Sequence, residues 1–205
     1  MELPAPGTEL DDEQFDGADW DGQELVGVTF RRCHFRDASM VELRVERCVF
    51  EECTLTGVRL NAARFTDSAL RSSTLAKAVL FGASFRRCSL LGTSFAGADV
   101  RGMRVSDTDL SYVILRGVDA SKLDLSGTRM REIDATDADL RGTDLRRADL
   151  SYARLQGAAL AGADLRGASV EAINWTTVDL TDVTIDMGQA LAVAMSYGAK
   201  IDSLE

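Results

Sequence analysis

The sequence has almost no proline, a single histidine and few aromatic residues. Both prolines, Pro4 and Pro6, fall in the first six positions, so beyond them no proline removes a backbone N–H from a β-ladder. The lone histidine, His34, has no serine or cysteine partner at its side, which leaves no nucleophilic triad to assemble and reads as a surface residue. The four cysteines, Cys33, Cys48, Cys53 and Cys88, lack zinc spacing, and neither a metal nor another cofactor is expected. No apolar run is long enough to span a membrane. The N-terminus is acidic and lacks the apolar segment of a signal peptide, so the expected location is cytoplasmic. Positive charge is also short: 23 Lys and Arg stand against 33 Asp and Glu, a net charge of −10. A chain of that balance should repel nucleic acid as a whole.

The charge is unevenly spread. Residues 1–25 hold nine acids and neither Lys nor Arg, residues 26–104 carry net +6, and residues 105–205 carry net −7. The first stretch reads as a solvated, partly disordered lead-in. The middle stretch could offer a small basic face.

What the sequence has instead is a five-residue repeat. Ala163-Asp164-Leu165-Arg166-Gly167 recurs in form as Ala98-Asp99-Val100, Thr108-Asp109-Leu110, Ala138-Asp139-Leu140, Thr143-Asp144-Leu145 and Ala148-Asp149-Leu150. From Leu10 to Ile185 the pentad centre falls on every fifth residue, 36 times without insertion or deletion, and every centre is apolar. At 45% hydrophobic residues, chance would give this roughly once in 10¹² sequences. A period of five is neither helical nor that of a plain strand. It suits a chain that turns a corner every pentad, and four corners would close a coil of about 20 residues stacked at roughly 4.8 Å.

The centre residue then points inward. The residue two before it also points inward and must be small. It is Ala, Cys, Ser, Thr or Val in 29 of 36 pentads, the exceptions being Glu13, Gln23, Leu43, Met103, Leu123, Ile133 and Ile173. Ile133 beside the undersized centre Ala135 looks like volume compensation, and polar Glu13 and Gln23 imply an irregular first coil. All four cysteines occupy the small position. Cys33 and Cys53 should stack in one column, near enough for a disulfide by Cα distance, but they read as reduced thiols. Glycine recurs two after the centre, at Gly82, Gly92, Gly97 and others, where a turn needs it.

After Ile185 the rule of five stops. Asp186 can cap a helix, with Gln189 as its capping-box partner. Met187, Ala190, Leu191, Ala194 and Met195 then form one apolar face, and Gly198 can end the helix. This helix reads as a lid on the last coil and as a dimer seam, with Leu191, Met195, Val193 and Tyr197 available outward.

These features resemble the pentapeptide-repeat family, and the resemblance implies an all-β fold: a right-handed quadrilateral β-helix of about nine coils with a C-terminal α-helical cap. Nine coils make about 43 Å of rod. The expected divisions are an acidic lead-in over 1–14, the β-helix over 15–185 and a cap and dimerisation module over 186–205. The run Asp164-Leu165-Arg166-Gly167-Ala168-Ser169-Val170, then Trp175, Ile185-Asp186, Gln189-Ala190, Ala192, Ala194 and Gly198, is similar to the end of the MfpA-like, Qnr-related branch. Leu125-Ser126-Gly127, Arg129, Arg131-Glu132 and Asp139-Leu140-Arg141 are similar to its middle. That resemblance implies a non-enzymatic protein that binds DNA gyrase, a type II topoisomerase, by mimicking duplex DNA, and that bears on fluoroquinolone resistance. It also implies a homodimer joined through Met187, Leu191, Val193, Ala194, Met195 and Tyr197. Loops that interrupt the repeat in many Qnr proteins have no place in this unbroken register.

Aspartates one before the centre return at every fourth pentad. Asp99, Asp119, Asp139 and Asp179 should share one face, with Ala159 the gap, and Asp124, Asp144 and Asp164 the next. Such carboxylate columns are the expected gyrase-binding surface, although Asp is also the family's ordinary residue there, and Arg101, Arg141, Arg146 and Arg166 interrupt the acidic faces. A rival reading is a structural or adaptor solenoid for a partner other than a topoisomerase. A β-helix enzyme lacks a locatable acid/base group, and an ice-binding face lacks regular threonine rows.

Overall fold

A computed structural model describes residues 2–202. The chain is a mostly-β parallel solenoid with one helix near its C-terminus. Its strands are three residues long because each pentad allows only that much extended chain before the next corner. β1 (Glu9–Asp11), β3 (Thr29–Arg31), β5 (Val49–Glu51) and β7 (Ala69–Arg71) form one parallel sheet. β2 (Glu24–Val26), β4 (Arg44–Glu46), β6 (Arg64–Thr66), β8 (Ser84–Arg86) and β9 (Arg104–Ser106) form the other. Every pairing joins a residue to its equivalent four pentads on, and isolated bridges extend the same register to Asp164↔Thr184. The ladder starts earlier than the boundary expected at residue 15. β1 lies inside the acidic lead-in, and the Gly7 N–H donates to the Gly27 carbonyl at 2.9 Å.

In-register stacking fixes the core. Each centre residue sits over its equivalent one coil away, so phenylalanines stack on phenylalanines. Phe30 and Phe50 lie 4.8 Å apart with rings 19° from parallel, and Phe65 and Phe85 4.8 Å apart at 18°. The spacing is that of neighbouring strands. The four cysteines are buried and free. Burial pushes the Cys53 thiol up to about 12. Ile133 and Ala135 are both fully buried, as compensating volumes require. The corner two after the centre adopts positive φ at every copy from Asp12 to Asp182 except Thr177, which lies in a 3-10 turn, with glycine at many copies and residues as large as Tyr112 (φ 61) at others. At Gly57 glycine is also needed for space, since a Cβ there would lie 2.3 Å from Asp37 Oδ1.

In mid-rod the ladder is interrupted on two adjacent faces. The N–H groups of Val100, Gly102, Val105 and Asp107 should reach carbonyls of the next coil, and those of Asp119 and Asp124 should reach Ala98 and Met103 of the coil before. Among the described residues none of these bonds forms, nor does a bridge join 99 to 119 or 104 to 124. Pairing continues on the other two faces through Ser94↔Ile114 and Asp109↔Arg129. The side chains account for this. Met103 and Leu123, two long residues at the small position, follow one another in a single column, while the nearby centres Val100, Val105 and Ala120 are undersized. Crowding at the corner with too little filling the middle spreads the coils.

α1 (Met187–Ser196) follows a 3-10 turn at Trp175–Thr177 and closes the C-terminal end. The capping box between Asp186 and Gln189 is present. Gln189 does more than cap. It is buried, its Oε1 accepts from the Asp186 N–H at 2.9 Å, and its Nε2 donates to the carbonyls of Leu165 and Ala168. One side chain thereby joins the lid to the last coil. The last three positions of the expected 186–205 module lie outside the described residues. Gln189→Ala should leave the buried Ala168 carbonyl without a partner, while Leu165 still accepts from the Ala168 N–H, and lower the unfolding free energy by about 1–3 kcal/mol. Urea denaturation should show this as a lower midpoint with an unchanged slope.

Candidate functional surface

All seven aspartates of the expected columns do the same local work. Each folds its Oδ1 back to accept the N–H two residues on, in an Asx turn. The distances are 3.2 Å for Asp99, 3.1 Å for Asp119, 3.0 Å for Asp124 and 3.0 Å for Asp139. They are 3.1 Å for Asp144, 3.1 Å for Asp164 and 2.9 Å for Asp179. The pentad's preference for Asp at this position therefore has a structural cause. The bond also fixes where each carboxylate points.

The seven then divide. Asp99, Asp139, Asp144 and Asp164 are half-buried, each gripped by the arginine two residues on. Arg101 Nε donates to Asp99 at 2.8 Å, and Arg141, Arg146 and Arg166 donate to their partners at 2.9 Å. The Arg166 guanidinium draws the Asp164 pKa down to about 2. Arg141 and Arg146 hold Asp139 and Asp144 below the usual carboxylate range in the same way. Asp119, Asp124 and Asp179 are exposed and carry no arginine. Hydroxyls serve instead at Asp119, which accepts from Ser121 Oγ at 2.6 Å, and at Asp179, which accepts from Thr181 Oγ1 at 2.7 Å.

The columns are also shorter than the spacing implies. Bridges join Asp124, Asp144 and Asp164 into one row and Asp119 to Asp139 in the next. The interruption separates Asp99 from Asp119, and among the described residues no bridge ties Asp179 to Ala159.

On the helix, Met187, Leu191 and Met195 form an exposed stripe, and Tyr197 is exposed beyond it. Val193, expected to face outward, packs against the core instead. Ala194 is half-buried. The capping geometry turns Gln189 inward, and Val193, one turn on, follows it. Among the described residues no group of His, Cys, Asp or Glu could hold a metal, and no helix is long and apolar enough to cross a membrane.

The family follows from the repeat and the fold together. A pentapeptide repeat region profile matches residues 8–95, and pentapeptide repeats in 8 copies match residues 130–167. The two take in more than half of the chain, which belongs to the pentapeptide-repeat family. Between them lie residues 96–129, the segment that holds the interruption. Among solved structures the chain is similar to QnrB1, a plasmid-mediated fluoroquinolone resistance protein. A trypsin-treated variant is 24% identical, with a TM-score of 0.83 over 95% of this chain and 97% of that one. The full-length protein is 22% identical, with a TM-score of 0.83 over 94% and 98%. No curated protein matches the chain.

Because the Asp164 pKa is depressed, the Asp164–Arg166 pair stabilises the fold above the ordinary carboxylate range. That contribution is lost as pH falls through about 2. Carbon-13 NMR of the Asp164 carboxyl should give a midpoint near 2, moving up in Arg166→Ala. At Asp139, Asn keeps an acceptor for the Arg141 N–H and Ala does not. Asp139→Ala should therefore be less stable than Asp139→Asn by about 1 kcal/mol in a denaturant titration.

Proposed function

We propose that this protein binds DNA gyrase as a mimic of duplex DNA, modulates the enzyme and lowers sensitivity to fluoroquinolones and other topoisomerase poisons. This reading takes the solenoid as a right-handed quadrilateral β-helix of nine coils. It works without catalytic activity, in the cytoplasm, as a homodimer joined through α1. The observation that carries it is the set Asp119, Asp124 and Asp179: exposed carboxylates that make no ion pair among the described residues, each held in one direction by its Asx turn. Fixed carboxylates on the outside of a rod meet a groove rich in Lys and Arg as phosphates do, through charge-assisted hydrogen bonds. The likeness in fold to QnrB1 supports the reading, and the stripe of Met187, Leu191 and Met195 supports the dimer.

The mimicry is dilute. Duplex DNA carries about 25 charges over about 43 Å, against a net −10 here, and four aspartates of the expected columns are neutralised by their own arginines. Shape and a few placed carboxylates must therefore supply most of the selectivity.

The test is gyrase supercoiling titrated with the protein, with and without a fluoroquinolone. The wild type should inhibit, or rescue the drugged enzyme. The triple variant Asp119→Asn, Asp124→Asn and Asp179→Asn keeps the turn acceptors and removes the charges. Its effect should be weaker by roughly tenfold or more, with an unchanged circular dichroism spectrum. An unchanged titration would overturn the acidic-surface mechanism. Absence of any wild-type effect would favour the adaptor reading.

A further inference from the structure

The interruption in the ladder opens onto a cavity of about 700 Å³. Its floor includes Phe65, Phe85, Met103, Val105 and Leu123. Its wall carries Arg64, Arg86, Arg104 and Lys122, all exposed, and Asp124 is the one carboxylate lining it. A second, smaller cavity of about 290 Å³ shares Arg64 and Arg86 and extends the groove to Arg44, but Glu24, Glu46 and Asp67 line that extension, so the excess of positive charge is confined to the first cavity.

Three features meet at this place. First, the arginines are uncompensated. Among the described residues, Arg44, Arg64, Arg86 and Arg104 make no ion pair, whereas Arg87 beside them holds Asp67 at 2.6 and 2.7 Å. Second, backbone groups are left open. β9 ends its five-stranded sheet, and its outer edge has no partner strand among the described residues. The Val105 and Asp107 N–H groups on that edge make no hydrogen bond to any described residue. Third, the floor is apolar. Val105 is a pentad centre, yet it is only partly buried.

We propose that the outer edge of β9 and the arginine wall beside it form a docking site for an extended acidic peptide segment of a protein partner, added to the sheet as a parallel strand. The open N–H groups supply main-chain pairing. Alternation along a strand sends successive side chains to opposite sides, so one set can meet the apolar floor while the other meets the guanidinium groups. Charge complementarity selects the acidic occupant: the wall carries four cations against one carboxylate. A peptide satisfies all three features, while a simple anion would use only the wall. The site has the opposite sign to Asp119 and Asp179, which lie outside it; Asp124 lines its edge, so Asp119→Asn with Asp179→Asn tests the gyrase reading without touching this site.

The probe is a fluorescein-labelled hexapeptide alternating valine and glutamate, titrated into the full chain and followed by anisotropy. Saturable binding is expected. It should weaken more than tenfold in Arg64→Glu combined with Arg104→Glu, two surface changes whose folding is verified by circular dichroism. It should also disappear when alternate peptide amides are N-methylated, which leaves charge intact and removes strand pairing. Met103→Ala with Leu123→Ala should relieve the crowded column, protect the Asp124 amide from hydrogen exchange and abolish binding. If that variant does not fold, the arginine pair and the N-methylated peptide still decide the matter. Failure of the hexapeptide to bind, or equal binding of its N-methylated form, would overturn the proposal. Displacement of the peptide from the arginine wall by a short DNA duplex at equal concentration would overturn it in favour of a general polyanion site.

Discussion

Everything in this molecule depends on one constraint: a backbone N–H must find a carbonyl on the next coil, one full turn along and in register. Fixed registry puts like residues over like. Where they are flat and apolar the outcome is favourable, as for Phe30 on Phe50. Where they are charged, the chain needs a remedy, and the Asp124, Asp144 and Asp164 row supplies one by folding each carboxylate onto its own backbone and giving two of the three an arginine. Where they are too large for the corner, as at Met103 and Leu123, the ladder opens. The regular faces, the neutralised rows and the interruption are three outcomes of the same registry.

The two halves of the rod treat arginine differently. In the C-terminal half an arginine two residues after an aspartate folds down onto it, and the pair is nearly neutral to a distant partner. On the β2-β4-β6-β8-β9 sheet the arginines occupy the outward positions themselves, at Arg44, Arg64 and Arg104, and among the described residues they meet no carboxylate. Net charge by segment follows this division, but the decisive quantity is how many charges on each surface remain unpaired.

The repeat, the inward positions and the capping box are legible in the sequence because they depend on spacing, and spacing is what a sequence displays. The Asp columns are legible as a register but not as an electrostatic surface. Whether Arg141 turns toward Asp139 or toward solvent is a rotamer choice that no periodicity encodes. Val193 would face outward on a free amphipathic cylinder, whereas the burial of Gln189 sets the helix rotation and turns it in. The interruption does leave a signal in the sequence: Met103 and Leu123 are both exceptions at the small position and stand one coil apart. Taken one at a time they look like tolerated substitutions, and only stacking makes them a wedge.

β1 sits at the end of its sheet, and its outer edge has no partner strand among the described residues. An open parallel edge is a template for more of the same ladder. At this end a second chain's β1 would bring Glu9 and Asp11, each held by Arg31 or Arg32 of its own chain, against their own copies at strand spacing, so the repulsion falls on Asp12 and Glu13 beside them. At the other end α1 covers the last coil, and Gln189 and Asp186 occupy the Ala168 carbonyl and the Gly167 N–H that a further coil would need. One end is closed by a lid and the other defended by charge, so a fold built on endless self-similarity stops as a short rod and does not grow into a fibre.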